Sequence, residues 1–201
     1  MEAKIKFLSD GHELEGRLEK SALQKGVVIT HPHPLYGGNM NNNVVEAIGR
    51  VYRQSGYTTL RFNFRGVGNS QGSHGNGIGE QADVHAAVSY LTDLNIERID
   101  LAGYSFGAWV NARFITSDPV AIASMLMVSP PVRFIEFGDV STLNSLKLVV
   151  TGSRDEIAPP GVIRQMLTTW NLSAHFDIID GSDHFYNLHT RQLEDVLGRH
   201  I

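Results

Sequence analysis

Apolar positions along the chain follow two rhythms. Near the start, Ile5 and Phe7, then Leu14 and Leu18, alternate with polar residues on either side of Ser9-Asp10-Gly11, a period of two broken by turn formers that predicts an antiparallel hairpin. Beyond it come short apolar runs at 27–30, 59–62, 99–102, 122–128, 146–150 and 176–179, the pattern of strands buried on both faces. Between them the period lengthens. Val44, Ile48, Val51 and Tyr52 share one helical face, as do Val84, Ala87, Val88 and Leu91, and Leu193, Val196 and Leu197 make a last one.

Strand and helix thus alternate, and parallel neighbours require right-handed crossovers. The fold class expected is α/β: a mostly parallel, doubly wound sheet with an N-terminal antiparallel hairpin and helices on both faces, in a single domain over 1–201. Ligands on such sheets bind beyond the C-terminal ends of the strands. The two stretches richest in turn formers, 66–79 and 129–145, each follow a predicted strand and so should border that edge.

Composition narrows the function. With 42% hydrophobic residues the chain has enough apolar side chains for a core, and 17 Lys and Arg against 21 Asp and Glu, with no basic block, argue against nucleic acid as a partner. The absence of cysteine excludes disulfides, thiolate metal sites and a cysteine nucleophile. No apolar run approaches a membrane span and the start lacks a signal-peptide core, so a cytoplasmic protein without a membrane partner is expected.

Gly103-Tyr104-Ser105-Phe106-Gly107 lies between a predicted strand and a helix-compatible run, the context in which Gly-x-Ser-x-Gly sets a serine on a tight turn with its hydroxyl exposed. A serine hydroxyl is a weak nucleophile and needs a base oriented by a carboxylate. Two later strand ends supply candidates: Asp155, with Glu156 as a rival, and His184, with Asp183 and Asp180 as alternative partners for its ring. The chain order is then Ser, Asp, His. An oxyanion hole would take one N–H from Phe106 and a second from the loop His31-Pro32-His33-Pro34-Leu35-Tyr36-Gly37-Gly38, with His33 first choice and Tyr36 second. Leu35, Tyr36, Phe106, Ile157, Phe185 and Tyr186 would line the substrate pocket or pack in the core. His31-x-His33 lacks a third metal ligand at a telling spacing, and 65–72 matches a dinucleotide loop only loosely, with Gln71 where the third glycine belongs. Neither a metal nor a cofactor is expected, and Arg65 reads as structural.

Together these motifs resemble the α/β-hydrolases, specifically the small cap-less predicted hydrolases related to dienelactone hydrolases and to the prolyl-oligopeptidase catalytic domain. The resemblance runs from His31-Pro32-His33-Pro34 through 61–68 and 103–107 to Asp155 and His184. It implies a Ser-His-Asp serine hydrolase, without the lactone chemistry of enzymes whose nucleophile is cysteine. The function expected is cleavage of a small carboxylic ester, with a small-molecule acyl compound as partner. A peptidase or thioesterase using the same residues, or a non-catalytic binding module of this fold, are the alternatives. Pro130-Pro131 within 129–145 leaves only a short loop where larger hydrolases carry a cap.

Overall fold

The Asp10-Gly11 pair decides how the chain begins. Both residues have positive φ, 47° and 79°, the two-residue turn whose twist matches a hairpin, and it joins β1 (Ala3–Ser9) to β2 (His12–Glu19) in antiparallel register. The computed structural model describes residues 2–117 and 121–201. After the hairpin the chain alternates: β3 (Lys25–Thr30), α1 (Asn43–Gln54), β4 (Thr58–Phe62), α2 (Gly79–Asp93), β5 (Arg98–Tyr104), α3 (Phe106–Ser117), β6 (Ser124–Val128), β7 (Leu146–Gly152), α4 (Pro160–Trp170), β8 (His175–Ile179) and α5 (Thr190–Gly198).

The sheet has eight strands in the order β1-β2-β4-β3-β5-β6-β7-β8. β2 pairs antiparallel with β4, and every pair from β4 to β8 is parallel. Both faces are covered, as parallel strands demand. Val28, Leu60, Leu101, Met125 and Val149 join α2, α3 and α4 in one core, while Val27, Ile29, Ala102, Leu126 and Val150 join α1 and α5 in the other. The chain leaves β3 toward β4 but leaves β5 toward β6, so the connections diverge between β3 and β5 and open a crevice at their C-terminal ends.

The helical faces named from the sequence do not include α4. Pro160 occupies its first helical position, where the missing N–H costs nothing, and Ile163, Leu167 and Trp170 form the buried face. The loops 66–78 and 129–145 contain no helix or strand. The first is nevertheless fastened: the Gln71 N–H donates to Glu13 O, and the Glu15 carboxylate accepts from Asn63 and Asn69. The Arg65 guanidinium lies 2.7 Å from the buried Asp83 carboxylate, holding this loop to α2, which is a structural task. Among the described residues no helix is long and apolar enough to cross a membrane.

Candidate active site

Ser105 sits where β5 turns into α3. Its φ is +53°, a conformation unfavourable for a residue with a Cβ, and its N–H donates to Val128 O on the neighbouring strand at 2.9 Å. The flanking glycines are required by space. A Cβ at Gly103 would lie 2.5 Å from Ala108 N, and one at Gly107 would lie 2.6–2.7 Å from Thr30 Oγ1, C and O. The turn is therefore pressed against the end of β3 and backed by its own helix.

His184 arrives from the loop after β8 and sets Nε2 3.0 Å from Ser105 Oγ. Asp155, from the loop after β7, approaches the opposite ring nitrogen, with Oδ1 and Oδ2 at 3.0 and 2.9 Å from Nδ1. Glu156 is not the partner; Asp180 takes a hydrogen bond from the Ser153 hydroxyl and Asp183 accepts the N–H groups of Phe185 and Tyr186. Asp155 Oδ1 also accepts the N–H groups of Ile157 and Ala158, at 2.9 and 2.7 Å, which fixes the carboxylate's orientation. Burial by itself raises the Asp155 pKa, but the His184 hydrogen bond and charge, with help from Ser129 and the Ala158 N–H, hold it below the ordinary value. The buried Tyr104 hydroxyl donates to His184 O at 2.8 Å and pins that loop. Six described non-glycine residues have positive φ. Three are Asp or Asn in turns, which tolerate it; the others are Ser105, Ser129 and Tyr186, all around this site.

The oxyanion-side loop sorts its own donors. Tyr36 N–H and Gly38 N–H donate to His33 O, Leu35 N–H donates to His33 Nδ1, and Pro32 and Pro34 have none. Tyr36, the second choice, thus has its N–H committed. Among the described residues the N–H groups of His33 and Phe106 have no acceptor, and the two rings pack 4.6 Å apart.

No family model matches the chain. It is 34% identical over 209 residues to the uncharacterized protein RP471 of Rickettsia prowazekii (strain Madrid E), covering 98% of this chain and 87% of that one. An alpha-beta serine hydrolase homologue from Coxiella burnetii superposes with a TM-score of 0.90 at 32% identity, covering 98% of this chain and 96% of the other. The chain belongs to the α/β-hydrolase superfamily. Its lack of a cap is shared with XC6422 from Xanthomonas campestris, an a/b serine hydrolase without lid, at TM-score 0.89 and 28% identity over 98% and 92% of the two chains.

In this hydrolase the residues assigned to the pocket divide. Leu35, Tyr36 and Phe185 are exposed at the mouth, and Ile157 is half-buried. Tyr186 does not line the mouth. Its ring is fully buried in the core shared with α1 and α5, and its hydroxyl meets Ser129 Oγ at 2.6 Å, because a φ of +55° turns the backbone inward just past His184. Phe106 is buried too, so its side chain does not line the mouth.

His31, singled out with His33, proves to be a clamp. Its Nδ1 donates to Pro32 O at 2.7 Å and its Nε2 accepts the Phe64 N–H at 3.0 Å, tying the ends of β3 and β4 and leaving no ring nitrogen for a metal. Burial lowers its pKa to about 4. Sequence reasoning passed over Glu80 and His74: the Glu80 carboxylate is fully buried, accepts the N–H groups of Gly75 and Gly77, and lies 2.8 Å from His74 Nδ1. A glutamate one residue into a helix, preceded by glycines, was the available signal.

Proposed function

We propose that this hydrolase cleaves small carboxylic esters through an acyl-enzyme, acting as a single cytoplasmic domain. The observation that carries the reading is the 3.0 Å approach of His184 Nε2 to Ser105 Oγ, with Asp155 on the far side of the ring. A carboxylate on Nδ1 keeps the ring proton there and leaves Nε2 with a lone pair, the tautomer a general base needs. Ser105 Oγ then bonds to the acyl carbon as its proton passes to Nε2. The N–H groups of Phe106 and His33 receive the negative charge on the carbonyl oxygen. Collapse breaks the bond to the leaving alkoxide, which takes the proton from His184, and water repeats the sequence to release the acid.

Small esters are favoured because the loop at 129–145 has no helix to enclose a long chain, and a methylene left in water contributes nothing of the roughly 0.8 kcal/mol it would contribute when buried. Labelling by a fluorophosphonate, lost in Ser105→Ala, tests the nucleophile. A p-nitrophenyl ester series run beside thioester and aminopeptidase substrates tests the class. kcat/KM should be highest from acetate to hexanoate and fall thereafter; a continuing rise, or faster cleavage of amides or thioesters, would refute the proposal.

A further inference from the structure

Exposed apolar side chains gather on the loops at the C-terminal edge of the sheet. Of ten exposed large apolar side chains among the described residues, six (Leu35, Tyr36, Ile78, Phe134, Phe185 and Leu188) stand on loops leaving the C-terminal ends of strands. Tyr36, like Phe185, rests on another ring, but its support continues inward through further rings. It is 89% exposed, yet its ring meets His33 at 5.1 Å and 61°; His33 lies 4.6 Å from the ring of Phe106, the residue after Ser105, and 5.0 Å from that of His74.

The support is held from below. His74 rests against the buried Glu80 carboxylate, and Leu35 N–H donates to His33 Nδ1, so the His33 ring is fixed in place with its proton on Nε2. Gly38 folds so close to Pro32 that a Cβ there would meet Pro32 O at 2.0 Å, which locks the loop bearing Tyr36. An exposed ring on such a loop has already lost much of the freedom that binding would remove.

We propose that Tyr36 and His33 form a platform for an aromatic ring of the substrate, so that the ester cleaved carries an aryl group. This deepens the reading of Ser105 as nucleophile and rests on it. A substrate ring set against the Tyr36–His33 pair continues a run of ring contacts that starts at Phe106 beside Ser105, and the attraction between ring quadrupoles adds to what area alone supplies. An alkyl group gains only the area. Phe185, with its ring 5.7 Å from that of His184, is the competing contact.

Boronic acids separate these possibilities without turnover, since Ser105 Oγ bonds to boron, its proton passes to His184 Nε2, and boron becomes a tetrahedral anion. Inhibition constants for phenylboronic and butylboronic acid are compared in the wild type, Tyr36→Ala and Tyr36→Phe. Tyr36→Ala should weaken phenylboronic acid by roughly three- to tenfold, the range of one ring pair. Butylboronic acid should change by less than twofold, and Tyr36→Phe should restore the aryl preference. Equal weakening of both compounds, or no change in either, would overturn the platform alone, the second outcome leaving Phe185 as the contact. Failure of both compounds to inhibit the wild type, with no fluorophosphonate label on Ser105, would overturn the nucleophile and the platform together.

Discussion

Asp155→Asn is the most incisive perturbation, because the structure dictates how the new amide must lie. Oδ1 accepts two backbone N–H groups, from Ile157 and Ala158, and lies 3.0 Å from His184 Nδ1, whereas Oδ2 lies 2.9 Å from that nitrogen without a backbone donor. Putting the amide NH2 at the Oδ1 position would leave two buried N–H groups facing a donor, at about 1–3 kcal/mol each. The oxygen therefore stays on Ile157 and Ala158, and the NH2 points at His184 Nδ1. Two donors cannot share that contact, and the amide oxygen, a weaker acceptor than a carboxylate, is already taken by two N–H groups, so the ring moves its proton to Nε2 and directs it at Ser105 Oγ, 3.0 Å away. The base is then blocked while every heavy atom stays in place. Loss of the correct tautomer costs on the order of 10⁴ in turnover, or about 5.5 kcal/mol of barrier. Asp155→Ala supplies the contrast: it strips the acceptor from two N–H groups and should destabilise the fold more, yet leaves the ring free to choose its tautomer. Turnover of p-nitrophenyl acetate and urea unfolding should therefore rank the variants oppositely, Asn more stable but no more active than Ala. An Asn variant within tenfold of the wild type would refute the argument.

Three further outcomes follow from the packing around the site. His31 is held neutral with a pKa of about 4 against about 6.5 unfolded, so the unfolded chain binds the extra proton and stability should fall by about 3 kcal/mol as pH drops through that window; unfolding free energies at pH 7, 5.5 and 4 measure it, and a flat profile would contradict the burial argument. Asp155 acts in a lower window: its depressed pKa stabilises the fold above the unfolded value of about 3.9 and the contribution is lost as pH falls further, so Asp155→Asn should flatten acid unfolding below about pH 4 only. Gly107→Ala would drive a methyl into the Thr30 backbone, and a loss of about 1–3 kcal/mol in urea unfolding, with reduced fluorophosphonate labelling of Ser105, is expected.

How much of this was legible in the sequence depends on how local each constraint is. The hairpin, the parallel strands and the turn at Ser105 are set by neighbours in the chain: Asp10-Gly11 supplies its own positive φ, and Gly103 and Gly107 are glycines because their own helix and the adjacent β3 leave no room. α4 was also encoded locally, in Ile163, Leu167 and Trp170 behind a proline at its first position. The choice of Asp155 over Glu156 could be argued only from nearness to a strand end. What selects it physically is the pair of N–H groups at 157 and 158 and a histidine 29 residues away.

Tyr186 and His31 show where such reading stops. Both flank residues that belong to the candidate site, and both are aromatic or nitrogen-bearing rings of the kind a pocket uses. Which way each points is decided by partners far along the chain, Ser129 for Tyr186 and Phe64 for His31. These two buried polar rings also hold the strand ends at fixed separation, which matters because His184 and Ser105 come from loops 79 residues apart and must meet within hydrogen-bonding distance. Removing the Tyr186 hydroxyl should therefore tell a positioning role from simple core packing. Tyr186→Phe keeps the ring and leaves Ser129 Oγ without its 2.6 Å partner, and Ser129 also hydrogen-bonds Asp155. The expected result is a drop in kcat of about tenfold with KM unchanged, since the defect lies in the alignment of the dyad and not in substrate binding. A variant that lost stability but kept full kcat would show that the hydroxyl serves the core alone.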